Sequence, residues 1–291
     1  LEAALVPAPI YQRAGEIVTT SRDPSNGYSL RISSLSMHGL RLAAACVADW
    51  QAWKSAKKPG KGEPLPASDP DLGEWVPTDP PLPVIQALEA KGSWALRPLV
   101  GVTEVPPMRP DGSLHASAGY DEGTGYLFDP GKLDYPAVPE APTWAQARAA
   151  LDELIEPIAE FDFQTPADRS VALAGFIAAV IRPALDKVPL TILDGHTPGS
   201  GKTTQAQIAA ILATGREVPV VSETGEEEVE KRITALLSMG EPVTLIDNVT
   251  RPVGGGALDA LLTGREWRGR RLGYLCDVPL PRYASITRSF F

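Results

Sequence analysis

The chain has 291 residues, 43% of them hydrophobic and 22% charged, with 29 Pro, 26 Gly, 2 Cys and 3 His. The apolar share excludes wholesale disorder, and the length suits one or two domains. Two cysteines exclude a disulfide framework or a four-cysteine zinc site, and the net charge of −9 argues against a general affinity for polyanions.

Residues 11–19 read as a strand, and residues 40–53 as a helix with Leu40, Ala44, Val47 and Ala48 at helical spacing. Residues 56–83 are crowded with Pro, Gly and charge, which predicts a long surface loop. A short helix at 84–88 ends near Gly92, and a strand is expected at 99–105. A turn at Arg109-Pro110-Asp111-Gly112 leads into a strand at 113–120. A second turn at 122–125 returns the chain through Tyr126-Leu127-Phe128, a hairpin pattern. This gives an α+β domain over residues 1–135, with no activity assigned to it.

Residues 136–164 are a linker and a helix spanning 143–160, interrupted at Pro157. Thr165, Pro166 and Asp168 have the chemistry of a helix start: a capping hydroxyl, a proline at the first position and an acid in the first turn. That helix carries the longest apolar run, residues 171–181. It is short of the roughly 18 residues a membrane span needs, so no membrane partner is expected.

From 188 onward, short apolar strands alternate with helices: strand 188–194, helix 202–213, strand 218–221, helix 226–239, strand 242–247 and a last strand at 283–290. Such alternation predicts an α/β domain over 165–291 with a mostly parallel sheet. The final 41 residues hold seven arginines against three acids and no lysine. They suit either a solvated face or a phosphate-facing surface.

The most specific stretch is Gly195-His196-Thr197-Pro198-Gly199-Ser200-Gly201-Lys202-Thr203-Thr204, set between a strand and a helix. Glycines there let backbone N–H groups converge on a phosphate, and the helix N-terminus adds free donors and its dipole. In such a P-loop, residues 197–204 cradle ATP, Lys202 reaches the β- and γ-phosphates and Thr203 ligates Mg²⁺. One departure is visible: strict spacing puts His196 where the first glycine belongs. Asp247, at the end of an apolar strand expected beside the first, would hold the metal's hydration shell. Asn248 follows it and can orient water but not take its proton, so hydrolysis is expected to be slow. Glu223 is either a substitute base or, in the simpler reading, a solvated residue.

The loop and the Asp247-Asn248 pair, with Arg109-Pro110-Asp111-Gly112-Ser113, Gly119-Tyr120-Asp121, Thr124-Gly125, Lys231-Arg232-Ile233 and Val249, give a sequence that resembles phage- and plasmid-type primase-helicases. These carry a P-loop ATPase of the superfamily 3/AAA+ kind. The resemblance implies an ATP- and Mg²⁺-dependent DNA-replication protein in the cytoplasm of a bacterial or phage-infected cell. It also implies a homo-oligomeric ring, an arginine donated in trans and loops gripping single-stranded DNA. Arg251, Arg265, Arg268, Arg270 and Arg271 are candidates for the finger or for DNA. Trp267 could stack a base or pack on the core. The family ends the strand after the Asp strand in a polar sensor; the corresponding strand at 283–290 has only Thr287 as a weak substitute, and no residues remain for a fifth strand or lid. The chain, which opens on Leu, is therefore expected to be a truncated piece. A nucleotide-binding assembly module and a P-loop small-molecule kinase are the competing readings.

Overall fold

The computed structural model describes residues 1–23, 29–55, 73–185, 189–195, 199–218, 220–222, 226–240, 243–249, 254–263, 266–269, 278–281 and 285–290. Two compact units emerge: Leu1–Thr19 with Ser34–Arg97, and Thr20–Ser33 with Pro98–Phe291. This partition differs from the expected 1–135, 136–164 and 165–291.

In the first unit, α1 (Glu2–Leu5) precedes β1 (Ile10–Arg13), which pairs antiparallel with β2 (Glu16–Asp23). The single strand expected at 11–19 is thus a hairpin, because Ala14 and Gly15 both take left-handed φ (51° and 75°) and reverse the chain. β3 (Ser29–Ser34) follows in a three-stranded sheet ordered β1-β2-β3, although residues 20–33 of β2 and β3 are grouped with the second unit. Ser36 caps α2 (Met37–Val47), which stops short of Trp53 because Gln51–Ser55 leave the helix as β4. β4 pairs antiparallel with β5 (Gly73–Pro77), so the loop expected at 56–83 is partly strand, with residues 56–72 outside the described set. α3 (Leu82–Ala90) begins on prolines, tolerated in a first turn whose N–H groups have no helical partner. Leu5, Ile10, Ile17, Leu40, Ala44, Ile85, Leu88, Trp94 and Leu96 form this unit's core.

In the second unit, β6 (Gly101–Thr103) runs parallel to β8 (Tyr126–Phe128), which pairs antiparallel with β7 (Gly119–Tyr120). The strand expected at 113–120 contracts to its last two residues, with one bridge between Met108 and Leu114. α4 (Trp144–Ile155) gives way at Pro157 to a 3₁₀ turn, Glu156–Ile158. α5 (Pro166–Val180) starts on a capping box between Thr165 and Asp168.

β9 (Thr191–Leu193), α6 (Lys202–Thr214), β10 (Val220–Ser222), α7 (Glu226–Met239) and β11 (Val243–Val249) then alternate. α8 (Gly256–Thr263), a two-stranded ribbon of β12 (Glu266–Gly269) and β13 (Val278–Pro281), and β14 (Ser285–Phe290) complete the unit. β10, β11, β14 and β9 form, in that order, a sheet whose neighbouring strands all pair parallel. β9 is shorter than expected and Ile192 is 45% exposed, as suits a strand with Pro189 just before it and one partner among the described strands.

α6 packs on two sides. Ala206 and Ala210 lie with Val218, Val243 and Leu245, while Ala209 joins Ala172, Phe176 and Ala179 of α5. Alanines at these positions let the helix approach both neighbours closely. At its far end the Glu104 amide donates to the Thr214 carbonyl at 2.9 Å. This bond ties the segment after β6 to α6 within the second unit. No helix among the described residues is long and apolar enough to cross a membrane.

Candidate functional site

Parallel strands bring their carboxyl ends to one edge of a sheet, where ligands of open α/β folds bind. β9 ends there, followed by Asp194 and Gly195, and the chain re-enters at Gly199 to start α6. His196, Thr197 and Pro198 lie outside the described residues. Gly199 and Gly201 take φ of 77° and 82°, a region that side chains disfavour, and Gly201 is the N-cap of α6. The cap uses no side chain, so the first-turn N–H groups of α6 have no partner within the helix.

Lys202 is only 7% exposed, and its Nζ donates to the Gly195 carbonyl (3.2 Å) and the Ser200 hydroxyl (3.0 Å). A Cβ on Gly195 would stand 3.1 Å from Ser200 Oγ and 3.4 Å from Lys202 Nζ. Glycine there keeps clear the space over which the amine lies. The Thr203 hydroxyl donates to Asp247 Oδ2 at 2.9 Å, across 44 residues of sequence. A hydroxyl and a carboxylate oxygen at this spacing are hard donors of the kind magnesium takes. Thr204 is exposed in the first turn of α6. Among the described residues no three His, Cys, Asp or Glu converge as a metal-binding cluster.

The strand carrying Asp247 is not beside β9 as expected: β14 lies between them, with Thr287 in register with both Leu245 and Thr191. Because all three run parallel, Asp247 and the loop after β9 still reach the same edge. β11 also runs past Asp247 to Val249, and its pairing with β14 shifts register between Ile246 and Val249. Such an irregularity re-aims side chains where a strand meets a site. Asn248 lies in this stretch of β11; its side chain is outside the described set.

Trp267 is a correction. It is 3% exposed, and its indole N–H donates at 2.9 Å to Thr234 Oγ1 on α7. A ring held this way has no free face for a base; of the two sequence-based options it takes the core. Arg268 lies on β12 with its side chain outside the described set, as are Glu223, Arg251, Arg265, Arg270 and Arg271 entirely.

The motif residues around 109–125 form a separate polar cluster. Arg109 Nε and Nη2 donate to Asp121 Oδ1 (3.0 and 2.8 Å), and the Thr124 amide and hydroxyl donate to Oδ2 (3.1 and 2.8 Å). Those hydrogen bonds, Arg109's foremost and opposed by burial, hold the Asp121 carboxyl down to about 2. His115 completes the cluster, with Nδ1 3.2 Å from Arg109 Nη2. Sequence reasoning also missed Phe161, whose ring lies against Gly201; only the Phe161-Asp162-Phe163 pattern could have signalled it.

No protein-family model matches the chain, and no curated protein matches it. Among solved structures it is similar to the A-form apo structure of the NrS-1 C-terminal region, at 13% identity and a TM-score of 0.38. That match covers 72% of this chain and 47% of the other, so the chain spans about half that structure's length. A likeness this weak assigns no function.

Proposed function

We propose that the second unit binds a nucleoside triphosphate with magnesium and hydrolyses it, in a DNA-replication protein of primase-helicase type. The observation that carries this reading is the 2.9 Å bond between Thr203 and Asp247 beside a glycine-capped helix start. It joins the two residues the chemistry requires on one metal. The residues present fit the group: two oxygen donors for the cation, uncapped N–H groups for the phosphates, and an amine already resting on oxygens.

In this reading Lys202 would exchange the Gly195 carbonyl and Ser200 hydroxyl for phosphate oxygens, and Thr203 and Asp247 would hold the cation. The amides of Gly199, Ser200 and Gly201 would supply backbone donors. Magnesium held there would supply charge neutralisation for the phosphates. Asn248 orients water without accepting its proton, so turnover is slow. That same amide favours a second reading, a nucleotide-binding assembly module with little hydrolysis.

Nucleotide turnover with and without single-stranded DNA separates the two. DNA-stimulated turnover that falls at least about a hundredfold in Lys202→Ala and Asp247→Asn is the expected result. Tight binding with no turnover would favour the module, and stimulation by a small acceptor would favour a kinase. No binding of ATP or ADP in the presence of magnesium would overturn all three.

A further inference from the structure

Gly201 caps α6 in the left-handed region, and a Cβ placed on it would stand 2.7 Å from Phe161 Cε1 and 3.2 Å from Cζ. The ring therefore lies directly against this glycine. It is held from behind: Phe161 and Phe163 stack at 6.3 Å and 27°, and both pack on the cluster of Ile158, Ala172, Phe176, Ala179 and Ala209. Backbone bonds from the Phe161 amide to the Ile158 carbonyl (3.3 Å) and from the Phe163 amide to the Phe161 carbonyl (3.0 Å) fix the local chain. The loop's last residue is thus braced by the α4–α5 connection, forty residues earlier in the sequence.

We infer that Phe161 is a positioning residue for the phosphate loop, setting the backbone at Gly201 so that the amides of residues 200–202 stay aimed at a bound phosphate. This rests on the nucleotide-binding reading above and goes beyond it. The brace acts on the loop's backbone, not on a nucleobase, and so affects any diphosphate-bearing ligand equally. A small misplacement of positioned donors can cost up to about a hundredfold.

The test is calorimetric titration of the full chain with Mg·ADP and, separately, with magnesium pyrophosphate, beside thermal melts. Phe161→Ala should weaken both probes by about tenfold, and Phe161→Leu should regain most of the loss. Phe128→Ala, a buried residue of the second unit outside this cluster, should lower the melting temperature and leave both affinities alone. Gly201→Ala reads the contact from the other side even if Phe161→Ala does not fold. It should bind both probes more weakly than wild type, and adding Phe161→Ala should cost less than the sum of the two losses.

Wild-type affinity in Phe161→Ala or in Gly201→Ala would overturn the inference. So would a loss confined to ADP, equal losses in Phe128→Ala, or strictly additive losses. If the wild type binds neither probe, the nucleotide-binding reading itself falls and this inference with it, whereas binding by a wild type indifferent to these substitutions removes the inference alone.

Discussion

Asp121 is where one side chain holds most of its surroundings together. An arginine only donates, so His115 Nδ1 accepts from Arg109, and its Nε2 carries the proton given to the Gly119 carbonyl at 3.1 Å. The carboxylate accepts from Arg109 and from Thr124, and its folded pKa of about 2 lies below the unfolded value near 3.8. A depressed carboxylate stabilises the fold above its unfolded pKa, and this contribution is lost as pH falls through the folded one. Asp121→Asn should therefore cost about 2 kcal/mol at pH 7, the order expected for hydrogen bonds to a charged group. The gap between variant and wild type should narrow steadily from about pH 5 toward pH 2. Urea melts at several pH values would show it; a gap constant with pH would place the ionised carboxylate outside the stabilising interaction.

Among the described elements, the β4–β5 ribbon has no third strand, and an isolated pair of strands is marginal in water. Trp53 stands directly opposite Trp75, with ring centroids 5.3 Å apart and planes at 68°. Both remain substantially exposed, at 46% and 62%. Gly73 admits the Trp53 ring, because a Cβ there would come within 2.5 Å of it. An edge-to-face aromatic pair contributes on the order of 1 kcal/mol beyond its buried area, enough to decide whether such a ribbon persists. Trp75→Ala should leave global stability within about 1 kcal/mol of wild type while amide exchange quickens over 51–55 and 73–77. Unchanged exchange would mean that something else holds the ribbon.

Across the whole molecule, two separate cores predict that unfolding departs from a single two-state transition. The second unit draws its early strands onto α6 at one point. Gly215 has φ 83°, and a Cβ on it would stand 2.6 Å from Glu104 Cβ. Gly215→Ala should destabilise the second unit by roughly 2 kcal/mol, from strain and the clash together. It should leave the transition of the first unit in place. A substitution felt equally by both transitions would show that the units unfold together.

What the sequence determined by itself is what near neighbours decide. Thr165, Pro166 and Asp168 start α5, Gly215 stops α6, Glu226–Met239 is helical, and a strand, a glycine-rich turn and a helix follow one another around Lys202. Each of these rests on atoms within a few residues, so local chemistry suffices. Tertiary structure alone decided the order β10-β11-β14-β9, the burial of Trp267 under Thr234, 33 residues away, and the closing of Phe161 on Gly201. A short apolar strand fits any slot of a parallel sheet covered on both faces, so its hydrophobic pattern does not encode its neighbours. An aromatic beside charges has the same local pattern whether it stacks on a ligand or fills a core. Only the partners that packing brings from elsewhere in the chain distinguish the two.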